Sequence, residues 1–143
     1  MIAFDTNILL YAHREEFEQH TLALQRLRAA VEGDVPFAVP VFVLGEFLRV
    51  ATHPRVLTPP SDLPTAIAAL DAVVASPMAR VLHTVPAYWS LLGELVVDAR
   101  ARGNAVFDAQ IAALCRAHGV DRILTEDRDF RRFPGLERVS LAG

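Results

Sequence analysis

The sequence predicts an α/β fold, a parallel sheet flanked by helices, and two observations carry that prediction. Short strand-like runs, among them Ile2 to Phe4, Phe37 to Val39 and Arg122 to Leu124, recur along the chain, and longer stretches with apolar residues at helical spacing separate them. Strand alternating with helix is the pattern of a sheet whose strands run parallel beneath crossover helices. There is also no internal repeat and no linker, so residues 1–143 read as one domain, an ordinary length for one.

Taken in order, Ile2 to Phe4 is a first strand that stops abruptly at Asp5, and Thr6 or Asn7 can cap the apolar turn Ile8 to Tyr11. From Phe17 to Val31, Leu24, Leu27 and Val31 fall at helical spacing, and Gly33 stands where a terminating glycine is expected. Phe37 to Val39 is a buried strand. Pro40 then suits the first turn of a helix that runs through Glu46 to about Ala51, and Pro54 forbids its continuation. Thr58 to Pro64 is a proline-rich loop. Thr65 to Val74 is a helix with Ile67, Leu70, Val73 and Val74 as a core stripe, closed by Ser76-Pro77. Arg80 to His83 is a short strand. Tyr88 to Arg102 and Phe107 to His118 are two helices that meet at Gly103-Asn104, the second ending at Gly119. Arg122 to Leu124 is a strand, Thr125-Glu126-Asp127 leads into a polar helical turn, and Leu136 to Leu141 forms an edge strand.

Composition narrows the function classes. With 52% apolar residues the chain can build a real core, which excludes a disordered segment. The longest apolar stretch, Phe37 to Leu44, is far shorter than the roughly 18 residues of a membrane span, and Met1 is followed by no basic or apolar leader. A cytoplasmic protein is expected, with no membrane partner. The lone Cys115 lies in an apolar helix and reads as a buried, inert thiol rather than a nucleophile. The five histidines are scattered without ligand spacing, and Glu15, Glu16 and Glu18 read as a solvated helix start. Tyr88, Trp89 and Phe107 sit in helical apolar stripes and read as core or dimer contacts.

Four carboxylates stand out by position. In open α/β sheets ligands bind beyond the carboxyl ends of the strands, where Asp5 and Asp127 stand. Glu46 interrupts an apolar helix, and Asp108 opens another, so both need a compensating partner. All 14 basic residues are arginine, and none is placed in sequence to neutralise the four acids together. Each acid also has an ordinary explanation taken alone: Asp5 and Asp127 as helix caps, Asp108 as a partner of the helix dipole, Glu46 as an exposed residue paired with Arg49. A bound metal explains all of them at once. Oxygen ligands without a His or Cys cluster indicate Mg²⁺ or Mn²⁺ rather than zinc, and converging carboxylates suit metal-assisted phosphodiester hydrolysis. The net charge of −3 is compatible with this, because two divalent cations would turn it positive.

Asp5-Thr6-Asn7 after a strand, Glu46 in Val-Leu-Gly-Glu-Phe, Asn104 four residues before Asp108-Ala109, and Thr125-Glu126-Asp127-Arg128-Asp129-Phe130 resemble the acidic motifs of PIN-domain ribonucleases. The segments Phe47 to Arg55 and Arg131 to Leu136 resemble, more narrowly, the VapC toxins of bacterial type II toxin-antitoxin modules. The resemblance spans essentially the whole chain. It implies a three-layer sandwich around about five parallel strands, a common sheet size, and a magnesium-dependent endoribonuclease for which Mn²⁺ can substitute. It also implies a homodimer and a small VapB-like antitoxin that enters the active-site groove. Carried over by position, Asp5, Glu46, Asp108 and Asp127 would be the catalytic, metal-binding quartet, and Asp127 is preferred to Asp129 because it follows the strand in the Thr-x-Asp pattern. Thr6, Asn7, Asn104, Thr125 and Asp129 would orient ligands or water by hydrogen bonding. Arg128, Arg131 and Arg132 lie close in sequence to that site. Two other readings compete with a nuclease acting on RNA: a catalytically silent interaction module on the same scaffold, and a small-molecule phosphatase with Asp5 as nucleophile.

Overall fold

A computed structural model describes residues 1–143. Five strands form one sheet, β1 (Ile2–Phe4), β2 (Phe37–Pro40), β3 (Ala79–Leu82), β4 (Arg122–Leu124) and β5 (Glu137–Val139), in the order β3-β2-β1-β4-β5 with every neighbouring pair parallel. The helices are α1 (Thr6–His13), α2 (His20–Glu32), α3 (Val41–Ala51), α4 (Leu63–Val74), α5 (Tyr88–Asp98) and α6 (Ala105–Ala117), with one 3₁₀ turn, Arg128–Arg132, before β5. No helix is long and apolar enough to cross a membrane.

The strand order explains the layers. From β1 the chain steps outward to β2 and then β3, so right-handed crossovers place their helices on one face. It then returns across the sheet to β4 and β5 on the other side of β1, which reverses the winding and puts α5, α6 and the 3₁₀ turn on the opposite face. The packing agrees: α1 contacts α2 and α3, and α3 contacts α4, while α5 pairs with α6 and α6 with the 3₁₀ turn. Sandwiched between, the central strands are buried on both faces, as parallel sheets require, and Phe4 meets Phe37 edge to face with ring centroids 5.5 Å apart.

Several local expectations are corrected. The cap of α1 is Asp5 itself, extended at φ −79°, whose side chain accepts from Thr6 N; neither Thr6 nor Asn7 caps it. Helix α2 begins at His20 rather than Phe17, and Phe17 instead packs its ring on Tyr11 at 5.1 Å. Pro40 completes β2 and stands just before α3, so its missing N–H costs no helical bond. The proline-rich loop stops short of Pro64, because Asp62 accepts from Thr65 N at 2.8 Å and starts α4 at Leu63. On α4, Leu70 and Val73 enter the core but Ile67 is 45% exposed. Helix α5 ends at Asp98, not Arg102, and Arg100 turns into the left-handed region at φ 52°. Trp89 is 77% and Phe107 54% exposed, so neither is a core residue. The edge strand is only Glu137–Val139.

Gly33 ends α2 for a reason different from the expected one. Its backbone is extended, φ −80° and ψ −168°, yet a Cβ there would lie 2.5 Å from the Ala29 carbonyl oxygen. Clearance, rather than a left-handed turn, demands glycine. Gly45, inside α3, is the opposite case, since a Cβ would meet nothing within 4 Å. Chemical denaturation should therefore separate them: Gly45→Ala gains about 1 kcal/mol through helix propensity, whereas Gly33→Ala loses at least about 1 kcal/mol through the clash. Equal effects at the two positions would contradict this account.

Candidate metal centre

The reversal of winding leaves a crevice beyond the carboxyl ends of β1 and β4, and the sequence places acids at both ends. Asp5 follows β1, donates its backbone N–H to the Leu124 carbonyl at 3.1 Å, and is only 5% exposed. One of its carboxylate oxygens accepts from Thr6 N at 2.8 Å, and the other accepts from the Thr125 hydroxyl at 2.7 Å.

Thr125, fully buried after β4, is the junction of the site. Its oxygen accepts from Asn7 Nδ2 at 3.1 Å and from Asp127 N at 3.0 Å, while its proton goes to Asp5. A hydroxyl has one donor and two acceptor positions, so all are used. The Asp127 carboxylate in turn accepts from Asp129 N at 2.9 Å and starts the 3₁₀ turn. Glu126, the extra acid of this segment, is drawn away: its Oε1 accepts from Leu141 N at 2.7 Å. Arg138 holds the same loop from β5 by donating to the carbonyls of Asp127 and Glu126, each at 3.2 Å. Nothing in the sequence pointed to Arg138, because its role depends on the parallel register that sets β5 beside β4.

Asp108, Asp127 and Asp129 bring carboxylate oxygens within 4.8 Å of one another. Together with Glu46 and Asn104 they line a cleft of about 410 Å³. Asp129 thus stands with Asp127 rather than as an alternative to it. Asp5 does not line this cleft, and it reaches the others through Thr125 and through charge. Asn104 and Thr125 both belong to the constellation, one at the rim and one buried. Thr6 Oγ1 is the one buried side-chain oxygen without a hydrogen-bond partner.

The electrostatics are those of an uncompensated anion cluster. The chain's single ion pair is Arg14 with Glu16; Arg49, one turn from Glu46 on α3 and lining the same cleft, forms none. Burial, reinforced by the charges of Asp127, Asp5, Glu46 and Asp129, pushes Asp108 up to about 7. Burial likewise raises Asp5 to about 6 against the lowering effect of its Thr125 and Thr6 hydrogen bonds, with Glu46 and Asp127 adding to the rise. Tyr11 is raised by its own burial and then by the charges of Glu126, Asp5 and Asp127. Its spacing of four from Asn7 on α1 was the available signal. Cys115, buried and near Asp5, is pushed up to about 12 and is inert, as expected.

This donor set fits a divalent cation. The clustered ligands are carboxylate oxygens, Arg49 at the edge of the cleft forms no ion pair with them, and hard cations prefer such sites. Capping explains two of the acids, since Asp5 and Asp127 do cap α1 and the 3₁₀ turn. It does not explain Glu46 in mid-helix or the raised Asp108.

Comparison with known proteins places the chain in a family. Residues 2–136 match the PIN domain family. Ribonuclease VapC43 of Mycobacterium tuberculosis is 35% identical over 136 residues, covering 95% of this chain and 92% of its own. Among solved structures, VapBC2 from Rickettsia felis, bound to a DNA fragment from its promoter, superposes with a TM-score of 0.71 at 20% identity, covering 98% of both chains. Mycobacterium tuberculosis VapC20, a toxin that cleaves the sarcin-ricin loop, gives 0.70 at 22% identity and covers 95% of this chain and 98% of its own. With the family match spanning nearly the whole chain, this protein belongs to the PIN domain family.

Proposed function

We propose that this protein is a metal-dependent endoribonuclease and the toxin of a VapBC-type toxin-antitoxin pair. The observation that carries this reading is the un-neutralised acid cluster at the switch point of the sheet, in a chain 35% identical to a curated VapC ribonuclease. In this reading Asp5, Glu46, Asp108 and Asp127 hold Mg²⁺, for which Mn²⁺ can substitute, and Asp129 contributes a further oxygen. Thr6, Asn7, Asn104 and Thr125 orient those ligands and water. Mg²⁺, when bound, acidifies water for attack on phosphorus and offsets charge on the phosphate oxygens. The residues supply geometry: Thr125 keeps Asp5 in one rotamer, and Asp127 is held by its own backbone bond to that hydroxyl.

The partners follow from the same reading: RNA as substrate, a VapB-like antitoxin, and a second copy of the chain. Residues 1–143 act as a single domain in the cytoplasm. A phosphatase with Asp5 as nucleophile is disfavoured, because both Asp5 oxygens are hydrogen-bonded and the residue is only 5% exposed.

Thermal unfolding with Mn²⁺ is the first test. A ligand at a hundred times its Kd stabilises the native state by about 2.7 kcal/mol, and wild type should gain accordingly while Asp108→Asn gains little. The metal-free protein supplies a second readout. Its folded state keeps protons on Asp5 and Asp108 that the unfolded chain releases near 3.8, so stability falls as pH rises from about 4 through 6 and 7. Metal-free Asp108→Asn should therefore be more stable than wild type at pH 8 and indistinguishable from it only near pH 3, below both the folded and the unfolded pKa. A metal-independent wild type with no difference between these pH values would refute the reading.

Thr125→Val leaves two N–H donors and one carboxylate oxygen without their partner, and should cost about 2 to 4 kcal/mol as well as the metal response. Thr125→Ser, which keeps the hydroxyl, should retain both. Cleaved RNA should carry 5′-phosphate and 3′-hydroxyl ends, since water is the nucleophile; 2′,3′-cyclic phosphates would identify the ribose hydroxyl instead.

A further inference from the structure

Beside the acid cleft lies a second concavity of about 320 Å³, between α3 and the start of α6, within the size range of small-ligand sites. The two share Glu46, Arg49 and Phe107, so they are adjoining parts of one surface. We propose that this concavity seats the base of the nucleotide next to the scissile phosphate, with Phe107 as its stacking surface and Arg49 as the clamp on its phosphate.

Charge, exposure and shape favour this occupant. Arg49 is the one basic residue lining either concavity. It is exposed and forms no ion pair, although Glu46 is one turn away. A free guanidinium at the edge of a carboxylate cluster offers the only local attraction to a polyanion that the acids repel, and its planar fork suits phosphate. Phe107 directly precedes Asp108 and is 54% exposed on the wall common to both concavities. Aromatic faces exposed beside a cation are how unpaired bases are held. Opposite elements complete the slot: Phe42, braced against Tyr88 at 5.9 Å, supplies a second ring, and Gln110 an amide able to donate and accept. Gly45 leaves the slot open, because a Cβ there would meet nothing within 4 Å.

The inference rests on the ribonuclease reading, and its test separates the two. A fluorescein-labelled hairpin RNA with a single-stranded loop of mixed sequence is titrated against the full chain in the Asp108→Asn background, which suppresses cleavage. Phe107→Ala should weaken binding by about five- to a hundredfold, the range associated with stacking one base, and Phe107→Tyr should restore it. Arg49→Ala should weaken binding and reduce the slope of log affinity against log salt by about 0.7, the loss of one single-strand phosphate contact. Gly45→Leu, which removes no group but fills the slot, should weaken binding too. In the active background the same variants should raise KM more than they lower kcat and leave the Mn²⁺ stabilisation at its wild-type value. If the variants bind RNA like their parent, or if Phe107→Ala alters only the elution volume of the protein on gel filtration, the slot is not a base site and a second copy covers it. If wild type itself responds to neither Mn²⁺ nor RNA, the reading of the whole centre fails with it.

Discussion

One hydroxyl ties the site to the fold. Thr125 donates to Asp5 and accepts from Asn7 and Asp127, so the two segments that follow β1 and β4 share a single oxygen. Because the donors are two N–H groups, the Thr125 proton has one destination, and Asp5 must present an oxygen to receive it. The arrangement makes the register of β4 against β1, Phe4 opposite Leu124, a condition of the site's geometry. A change of one residue in that register would send Thr125 to the other face of the sheet. The buried acid is thereby satisfied at the level of hydrogen bonding while remaining unsatisfied in charge.

That division shapes the energetics. The core around the centre is ordinary, with Phe47, Ile111 and Leu114 buried and backbone bonds from Asp5 N to Leu124 and from Thr125 N to Val139 at the strand ends. Against it stands a group of carboxylates that no arginine pairs with, two of them pushed to about 6 and about 7. Placing like charges together in a partly dry crevice lowers stability without ligand and raises the affinity for a cation that relieves the repulsion. The same feature that weakens the empty protein is what selects a hard divalent ion over a protein counter-ion.

The placement of helices follows from one reversal in chain winding. It puts α3 and α6 on opposite faces, so Glu46 and Asp108 approach the crevice from two sides while Asp5 and Asp127 rise from the sheet itself. The slot between α3 and α6 is a by-product of the same geometry. Phe107 and Arg49, on these two helices, line the same cleft although 58 positions separate them in sequence.

The fold class, all five strands and the principal acids were legible in the amino-acid sequence because each follows from a local rule. Apolar period distinguishes strand from helix, glycine and proline mark ends, and a carboxylate in an apolar run such as Val43 to Leu48 demands an explanation wherever it lies. What escaped local rules was decided by contacts between distant segments. Thr6, Asn7 and Asp5 are equally good caps in isolation, and Asp5 takes the role because Asn7 is drawn to Thr125. Asp127 is preferred to Asp129 only by the Thr-x-Asp pattern; the docking of the tail at Leu141 draws Glu126 away, and the 3₁₀ turn leaves Asp129 beside Asp127 and Asp108. Trp89 and Phe107 read as core or dimer contacts and are not core, because an apolar stripe shows which face is greasy, not whether another element of the chain covers it. Sequence thus determined the elements and the chemical groups they carry, through interactions within a few residues of each other. Tertiary structure alone decided which of those groups meet, because hydrogen bonds and charge repulsion act across space and carry no trace of sequence separation.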